Sequence, residues 1–289
     1  VDQYTPTLYR GIQRVPMDEA PGKLLDERLA DDLISYVHNQ RAAAPNKPFL
    51  IYLAPGTMHA PHQAPQSYID RFKGKFDMGW DQLRVESWRR QIAAGIIPAD
   101  TRLTPRPPQL PAWDSLSARE RAFHARQMEV AAAQLVFQDE QIGRIFDELD
   151  RMGETDRTLF AFVLGDNGAS GESGPGGTLN ELRTIAVQNE RKEWLWSNLD
   201  KQGGPDTYQN YSVAWAWAAT APYPWVKQYA SMLGGIRNGM ILSYPKHAGR
   251  PGTICAQFGH LIDIAPTILD AAGIPAPTQV LGTQQKPMD

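Results

Sequence analysis

Three short runs hold the residues whose types suit catalysis or ligand binding. Gly165-Asp166-Asn167-Gly168 sets a charged and a neutral oxygen donor side by side, between glycines that let the chain turn so that both side chains can face one ion. Hard oxygens suit calcium or magnesium, yet calcium takes about six to eight of them and this run supplies only Asp166 and Asn167. Asp-Asn-Gly is equally the chemistry of an ordinary turn, in which Asn tolerates positive φ. Thr57-Met58-His59-Ala60-Pro61-His62 presents His59, an imidazole able to donate to an anionic ester oxygen or to protonate a leaving group. The alternative for His59 is a ring satisfied by a backbone carbonyl. His62 completes a His-x-x-His pair, which raises a transition-metal site. No third nitrogen or thiol ligand lies nearby in sequence, and the prolines break any helical facing. Lys227 follows an aromatic run, where Trp225 and Tyr229 are placed to fence it from water and strengthen its hold on an anion. A solvated surface lysine is the alternative. Cys255, in Thr253-Ile254-Cys255-Ala256, has no helix start or basic neighbour to favour a thiolate, so it reads as a buried apolar residue.

These residues need elements to position them. Leu25, Leu29, Leu33 and Val37 recur every four residues and predict a helix over 24–40, stopped by Pro45 and Pro48. The apolar run 49–54, bounded by prolines and a Pro-Gly pair, predicts a buried parallel strand that ends just before His59. Residues 61–114, rich in Pro, Gly and Trp, read as a long irregular cover. Ser117-Ala118-Arg119-Glu120 fits a capping box and opens a helix whose apolar face runs from Met128 through Leu149 to a stop at Gly153. A second buried strand is predicted at 159–164, immediately before Asp166, a third at 240–243, and a helix over 261–272 ended by Gly273. Strands alternating with helices predict an α/β fold with a parallel sheet, and in such sheets ligands bind beyond the carboxyl ends of the strands. His59 and Asp166 both fall there. The aromatic stretch from Trp194 to Trp225 reads first as core packing and second as the lining of an aryl-binding mouth.

Composition narrows the field without choosing a chemistry. The 289 residues are 42% hydrophobic, with 29 Lys+Arg against 32 Asp+Glu and a formal net charge of −3. That is ample for a core and excludes a disordered chain. It also lacks the clustered basic footprint of a nucleic-acid binder. No apolar run approaches the roughly 18–20 residues of a membrane span. One cysteine cannot close an intrachain disulfide, so the redox compartment stays open.

His59 after one predicted strand, Asp166-Asn167 after another, and Lys227 before Gly234-Gly235-Ile236-Arg237 together resemble the type I sulfatase family of the alkaline phosphatase-like superfamily. The similarity to bacterial arylsulfatases continues through His59-Ala60-Pro61-His62-Gln63-Ala64-Pro65, Lys73-Gly74-Lys75-Phe76-Asp77-Met78-Gly79-Trp80, Thr104-Pro105-Arg106-Pro107, Trp113-Asp114-Ser115-Leu116 and Asp263-Ile264-Ala265-Pro266-Thr267. The resemblance implies an alkaline phosphatase/sulfatase-like sandwich, a mostly parallel central sheet with helices on both faces. It implies hydrolysis of a sulfuric ester, a small-molecule sulfate ester as substrate, and neither nucleic acid nor membrane as partner. It makes Asp166 and Asn167 ligands of a metal, calcium before magnesium, and Asp166 a candidate to take a proton from the nucleophile. It makes His59 and Lys227 the residues that contact the sulfate, with either one supplying a proton to the departing alcohol or phenol.

The family's nucleophile is a hydrated formylglycine made from the Cys or Ser of a Cys-x-Pro-x-Arg or Ser-x-Pro-x-Arg motif, and neither motif occurs in the 289 residues. The resemblance places that motif, an Asp-Asp metal pair and a Lys-x-His segment before Val1, and a C-terminal subdomain after Asp289. On this reading the chain is an internal fragment truncated at both ends, with residues 1–289 forming one partial catalytic domain inactive by itself. The compartment stays open between periplasm and cytoplasm. A phosphate or phosphonate ester hydrolase of the same superfamily, or a non-catalytic anion-binding module, are the other two readings.

Overall fold

The structure, a computed structural model, describes residues 2–16, 19–188, 190–245 and 252–287. Val1, Met288 and Asp289, at the chain ends read above as truncations, lie outside the described residues. Two long helices set the frame. Helix α1 (Leu25–Ala43) carries Asp26 and Glu27 in its first turn, where acidic groups favour the helix dipole, and the Glu27 carboxylate accepts the Leu24 N–H at 3.1 Å. Helices α2 (Gln66–Asp70) and α3 (Gly79–Ala93) follow, and α4 (Ala118–Arg151) is the backbone of the molecule. Its start is the predicted capping box: the Glu120 N–H donates to Ser117 Oγ at 3.3 Å and the Ser117 N–H donates to Glu120 Oε2 at 3.0 Å. It ends at Met152, and Gly153 turns the chain with a φ of 68°. Shorter helices complete the set: α5 (Glu181–Ile185), α6 (Lys192–Ser197), α7 (Val213–Ala219), α8 (Leu233–Ile236) and α9 (Ile264–Ala271).

The parallel α/β sandwich expected from the sequence is not what these elements build. The described strands form three two-stranded antiparallel sheets, and the molecule is largely helical. Strands β1 (Tyr9–Arg10) and β2 (Gln13–Arg14) make one, β3 (Phe160–Val163) and β4 (Met240–Ser243) the second, and β5 (Gln279–Val280) and β6 (Thr283–Gln284) the third. The predicted second and third strands exist, but Phe160 faces Ser243 and Val163 faces Met240 in antiparallel register. A four-residue apolar run fixes extended backbone and carries no information about strand direction. The first predicted strand fails for a related reason. Residues 49–54 alternate in burial, with Phe49, Ile51 and Leu53 packed against Ala30, Val37, Ile145 and Leu149 of α1 and α4, and Leu50 and Tyr52 exposed. The run packs as an extended segment on helices, outside the named strands.

The region 61–114 is also more regular than its prolines suggest, because α2 and the fifteen-residue α3 lie inside it. Proline and glycine mark its ends and say little about the proline-free stretch between. Tryptophans supply the centre of the molecule: Trp80 and Trp215 are fully buried, and their ring centroids lie 5.6 Å apart near perpendicular. Trp113 stands edge-on to Trp80 at 4.7 Å. Arg84 is sealed under this cluster, its guanidinium 4.3 Å from the Trp217 ring and donating to Thr104 Oγ1 and the Tyr223 carbonyl at 2.7 Å each. Burial lowers its pKa to about 10. Among the described residues no helix is long and apolar enough to cross a membrane.

Candidate functional site

The His59 segment leaves the extended run 49–54 and is tied down by α4. Two buried glutamines on that helix reach across: Gln138 Nε2 donates to the Thr57 carbonyl at 3.2 Å and Gln134 Nε2 to the Pro61 carbonyl at 3.3 Å. Thr57 Oγ1 donates to Asp26 Oδ2 of α1 at 2.6 Å. His62 is fully buried against the Tyr211 ring, with centroids 4.6 Å apart, and its backbone N–H donates to the Gln209 carbonyl at 2.9 Å. Burial holds the His62 imidazole neutral and lowers its pKa to about 4, while desolvation pushes the Tyr211 phenol up to about 12. His62 is thus a core residue that anchors the segment. His59, between these anchors, is exposed.

The Asp166 loop leaves the end of β3. Beyond it come Gly165, Asp166, Asn167 and Gly168, then Ala169, whose carbonyl accepts the Lys227 backbone N–H at 2.9 Å. Gly168 has a φ of 81°, and a Cβ there would stand 2.1 Å from the Gly234 carbonyl oxygen of α8. Only glycine allows this contact, so Gly168 marks a close backbone approach to α8. Lys227 is flanked by Trp225 and Gln228, both non-glycine residues at positive φ, 64° and 79°. Left-handed backbone at such residues costs about 1–3 kcal/mol and persists where the surroundings enforce it.

His59 and Lys227 meet. Lys227 Nζ lies 3.1 Å from His59 Nε2, joining segments 168 residues apart. The other ring nitrogen, Nδ1, lies 3.0 Å from the Ala60 carbonyl oxygen. A carbonyl only accepts, so Nδ1 carries the hydrogen and Nε2 offers its lone pair to the ammonium. The satisfied-by-carbonyl reading of His59 is therefore correct for one nitrogen and silent on the other. Trp225 and Tyr229, expected to fence Lys227, stack on one another with centroids 4.6 Å apart.

Sequence reasoning missed the third member of this group. Glu172 Oε2 accepts from Lys227 Nζ at 3.2 Å and from Ser170 Oγ at 2.9 Å, and its Oε1 accepts from Gln228 Nε2 at 3.0 Å. Partial burial raises the carboxyl pKa, and the bonds from Ser170 and Lys227 outweigh it, so the net shift is downward. A lone Glu in the run Gly171 to Gly177 gives no signal of this in sequence, since the partners lie some fifty residues on.

Asp166 and Asn167 are both exposed, and the Lys227 backbone is tied to Ala169, two residues after Asn167. As a calcium site they fit in kind and not in number. Asn238 Oδ1 approaches Gly165, 3.8 Å from where a Cβ would be. Among the described residues no group of three or more His, Cys, Asp and Glu side chains is placed to hold a metal. Cys255, expected to be buried, is exposed. Its apolar neighbour Ile254 is exposed too, so a short apolar run was an unsafe guide to burial there.

Comparison with known proteins gives the family. An uncharacterised sulfatase of Schizosaccharomyces pombe is 34% identical over 251 residues, covering 86% of this chain and 43% of the relative. An arylsulfatase of Klebsiella aerogenes is 31% identical over 239 residues, covering 81% of this chain and 48% of the relative. The chain spans about half the length of these curated relatives. In structure, it matches Ps i-CgsB, crystallised in complex with k-i-k-neocarrahexaose, with a TM-score of 0.51 at 15% identity over 94% of this chain and 38% of that one, a likeness of fold. The sequence profile of the sulfatases matches residues 2–274. A match over nearly the whole chain corrects the expectation of an internal fragment that lacks the family's N-terminal region. It shows that the chain belongs to the sulfatase family.

Proposed function

We propose that this protein hydrolyses a small-molecule sulfuric ester in the manner of an arylsulfatase, and that His59 and Lys227 serve the sulfate and the leaving group. The contact between Lys227 Nζ and His59 Nε2 carries the reading. Transfer of the sulfuryl group to a nucleophile, and from it to water, forms a new S–O bond as the ester S–O bond breaks, and the alkoxide or phenoxide needs a proton at the moment it departs. The ammonium of Lys227 holds that proton next to the His59 lone pair, so either atom can deliver it to the leaving oxygen. The positive charge also neutralises negative charge on the sulfuryl oxygens. A point-charge ammonium suits a single oxygen, where an arginine fork would suit two. Support from outside the structure comes from the Klebsiella aerogenes relative, which is an arylsulfatase by name.

Asp166 and Asn167 are proposed as two oxygen ligands toward calcium rather than magnesium, and Asp166 as the acceptor of the nucleophile's proton. When bound, the cation would draw charge from a sulfuryl oxygen. Two donors do not complete such a site, so the proton transfer proposed here rests on His59 and Lys227.

The test compares 4-nitrophenyl sulfate, 4-nitrophenyl phosphate and a phosphonate ester as substrates of the whole protein, with and without calcium. Turnover of the sulfate, reduced at least about 100-fold in His59→Ala and Lys227→Ala, is expected. Preference for a phosphorus ester, or sulfate binding without turnover of any ester, would overturn it in favour of the phosphate or phosphonate reading or of the anion-binding module.

A further inference from the structure

We propose that Glu172 is the positioning residue of the Lys227–His59 pair, fixing the ammonium so that its one free hydrogen faces the leaving oxygen; the inference rests on the sulfatase reading above. An ammonium has three hydrogens to give. One goes to His59 Nε2 at 3.1 Å and one to Glu172 Oε2 at 3.2 Å, which leaves a single donor in a fixed direction. Lys227 is largely covered, with 14% of its side chain exposed, so a wandering ammonium is not the resting state.

The carboxylate is itself held by two further donors. Ser170 and Gln228 hold its two oxygens, and Ser170 Oγ is in turn held by Asn210 Nδ2 at 3.0 Å. Asn210 is fully buried, and its amide also donates to Glu181 Oε1 at 2.8 Å. A chain of hydrogen bonds therefore runs from the buried Glu181 through Asn210, Ser170, Glu172 and Lys227 to the exposed His59. Ordinary surface ion pairs do not carry this much supporting structure, and such support is what holds a reacting group within a fraction of an ångström.

The chain is labelled with ¹⁵N-histidine, and the Glu172→Gln and Gln228→Ala variants are compared with wild type by NMR. In wild type His59 is expected as the Nδ1-protonated tautomer with an imine-type Nε2 signal. Glu172→Gln removes the charge at constant shape and is expected to move that signal toward a tautomer average. Gln228→Ala frees only Oε1 and is expected to move it less, in the same direction, which keeps the inference testable if Glu172→Gln does not fold. On the whole protein, Glu172→Gln is expected to lower kcat about 10- to 100-fold with KM little changed, and to lower it more for aryl sulfates with poor leaving groups than for good ones. An unmoved Nε2 signal together with an unchanged leaving-group dependence would overturn the inference. If the NMR changes appear and no sulfate ester is turned over by wild type, it is the sulfatase reading that fails.

Discussion

The Nζ atom of Lys227 lies 3.1 Å from the Nε2 atom of His59, whose other ring nitrogen, Nδ1, faces the Ala60 carbonyl oxygen at 3.0 Å. Two basic groups in contact are stable only if one of them lends a lone pair, and the carbonyl at Nδ1 decides which atom of the ring that is. The pair thus carries a single positive charge, placed by backbone that neither residue can easily leave.

Replacing Lys227 should therefore cost binding through geometry as well as charge. Lys227→Met removes a charge-assisted hydrogen bond worth about 1.5–3 kcal/mol, which corresponds to roughly 10- to 150-fold weaker sulfate binding. Lys227→Arg keeps the charge, yet its planar fork does not reproduce a single N–H directed at Nε2, so it should recover less than half of that free energy. Calorimetric titration with sulfate checks both; full recovery by Arg would show that charge alone matters at this position.

His62 predicts how the fold responds to acid. Its imidazole titrates near 4 in the folded protein and near 6.5 unfolded, because burial disfavours the charged ring. The unfolded chain then binds the proton first as pH falls. The stability in question is complete above pH 6.5 and is lost between 6.5 and about 4, by about 3 kcal/mol. Urea unfolding at steps of pH should show this slope. His62→Gln, which cannot titrate, should be less stable at pH 7 and flatter over the same window. An equal slope in the variant would place the proton uptake elsewhere.

The histidine segment and the Asp166 loop were legible in sequence because proline and glycine punctuate both, and the Ser117–Glu120 box located the start of α4 to the residue. Fold class was not legible. The runs 159–164 and 240–243 are apolar enough for strands, but direction depends on partners that are remote in sequence, and β3 and β4 pair antiparallel. Glu172 was invisible for the same reason: its role is set by Lys227 and Gln228, which no local pattern connects to it. Burial was misjudged at Cys255, where side-chain type was the only available clue.

Gly168 should tolerate no side chain. Alanine there would need left-handed backbone, at about 1–2 kcal/mol, and would also meet the Gly234 carbonyl oxygen at 2.1 Å. The loop must then move, and with it Ala169, which holds the Lys227 backbone. A loss of more than about 2 kcal/mol in stability is expected, with sulfate binding weakened even at temperatures where the variant stays folded. Thermal unfolding and sulfate titration on the same sample measure the two effects. A stable variant with intact binding would mean that the α8 contact does not position Lys227.

The glutamines of α4 give a way to loosen His59 without touching it. Gln138→Leu leaves the half-buried Thr57 carbonyl without its 3.2 Å donor, a loss of about 0.5–1.5 kcal/mol. Gln134→Leu strands the Pro61 carbonyl in the same way, yet Gln134 Oε1 is already buried without a partner, so removing that oxygen offsets part of the cost. The Gln138 variant should therefore be the less stable of the two. Both carbonyls belong to the segment that carries His59, and releasing them together lets the imidazole drift from Lys227 while Glu172 still holds the ammonium. The double variant should keep most of its affinity for sulfate, which the lysine charge provides. In the whole protein it should lose turnover of esters with poor leaving groups, which need the proton at a fixed place. Parallel losses of affinity and turnover would instead show that α4 supports the site only by supporting the fold.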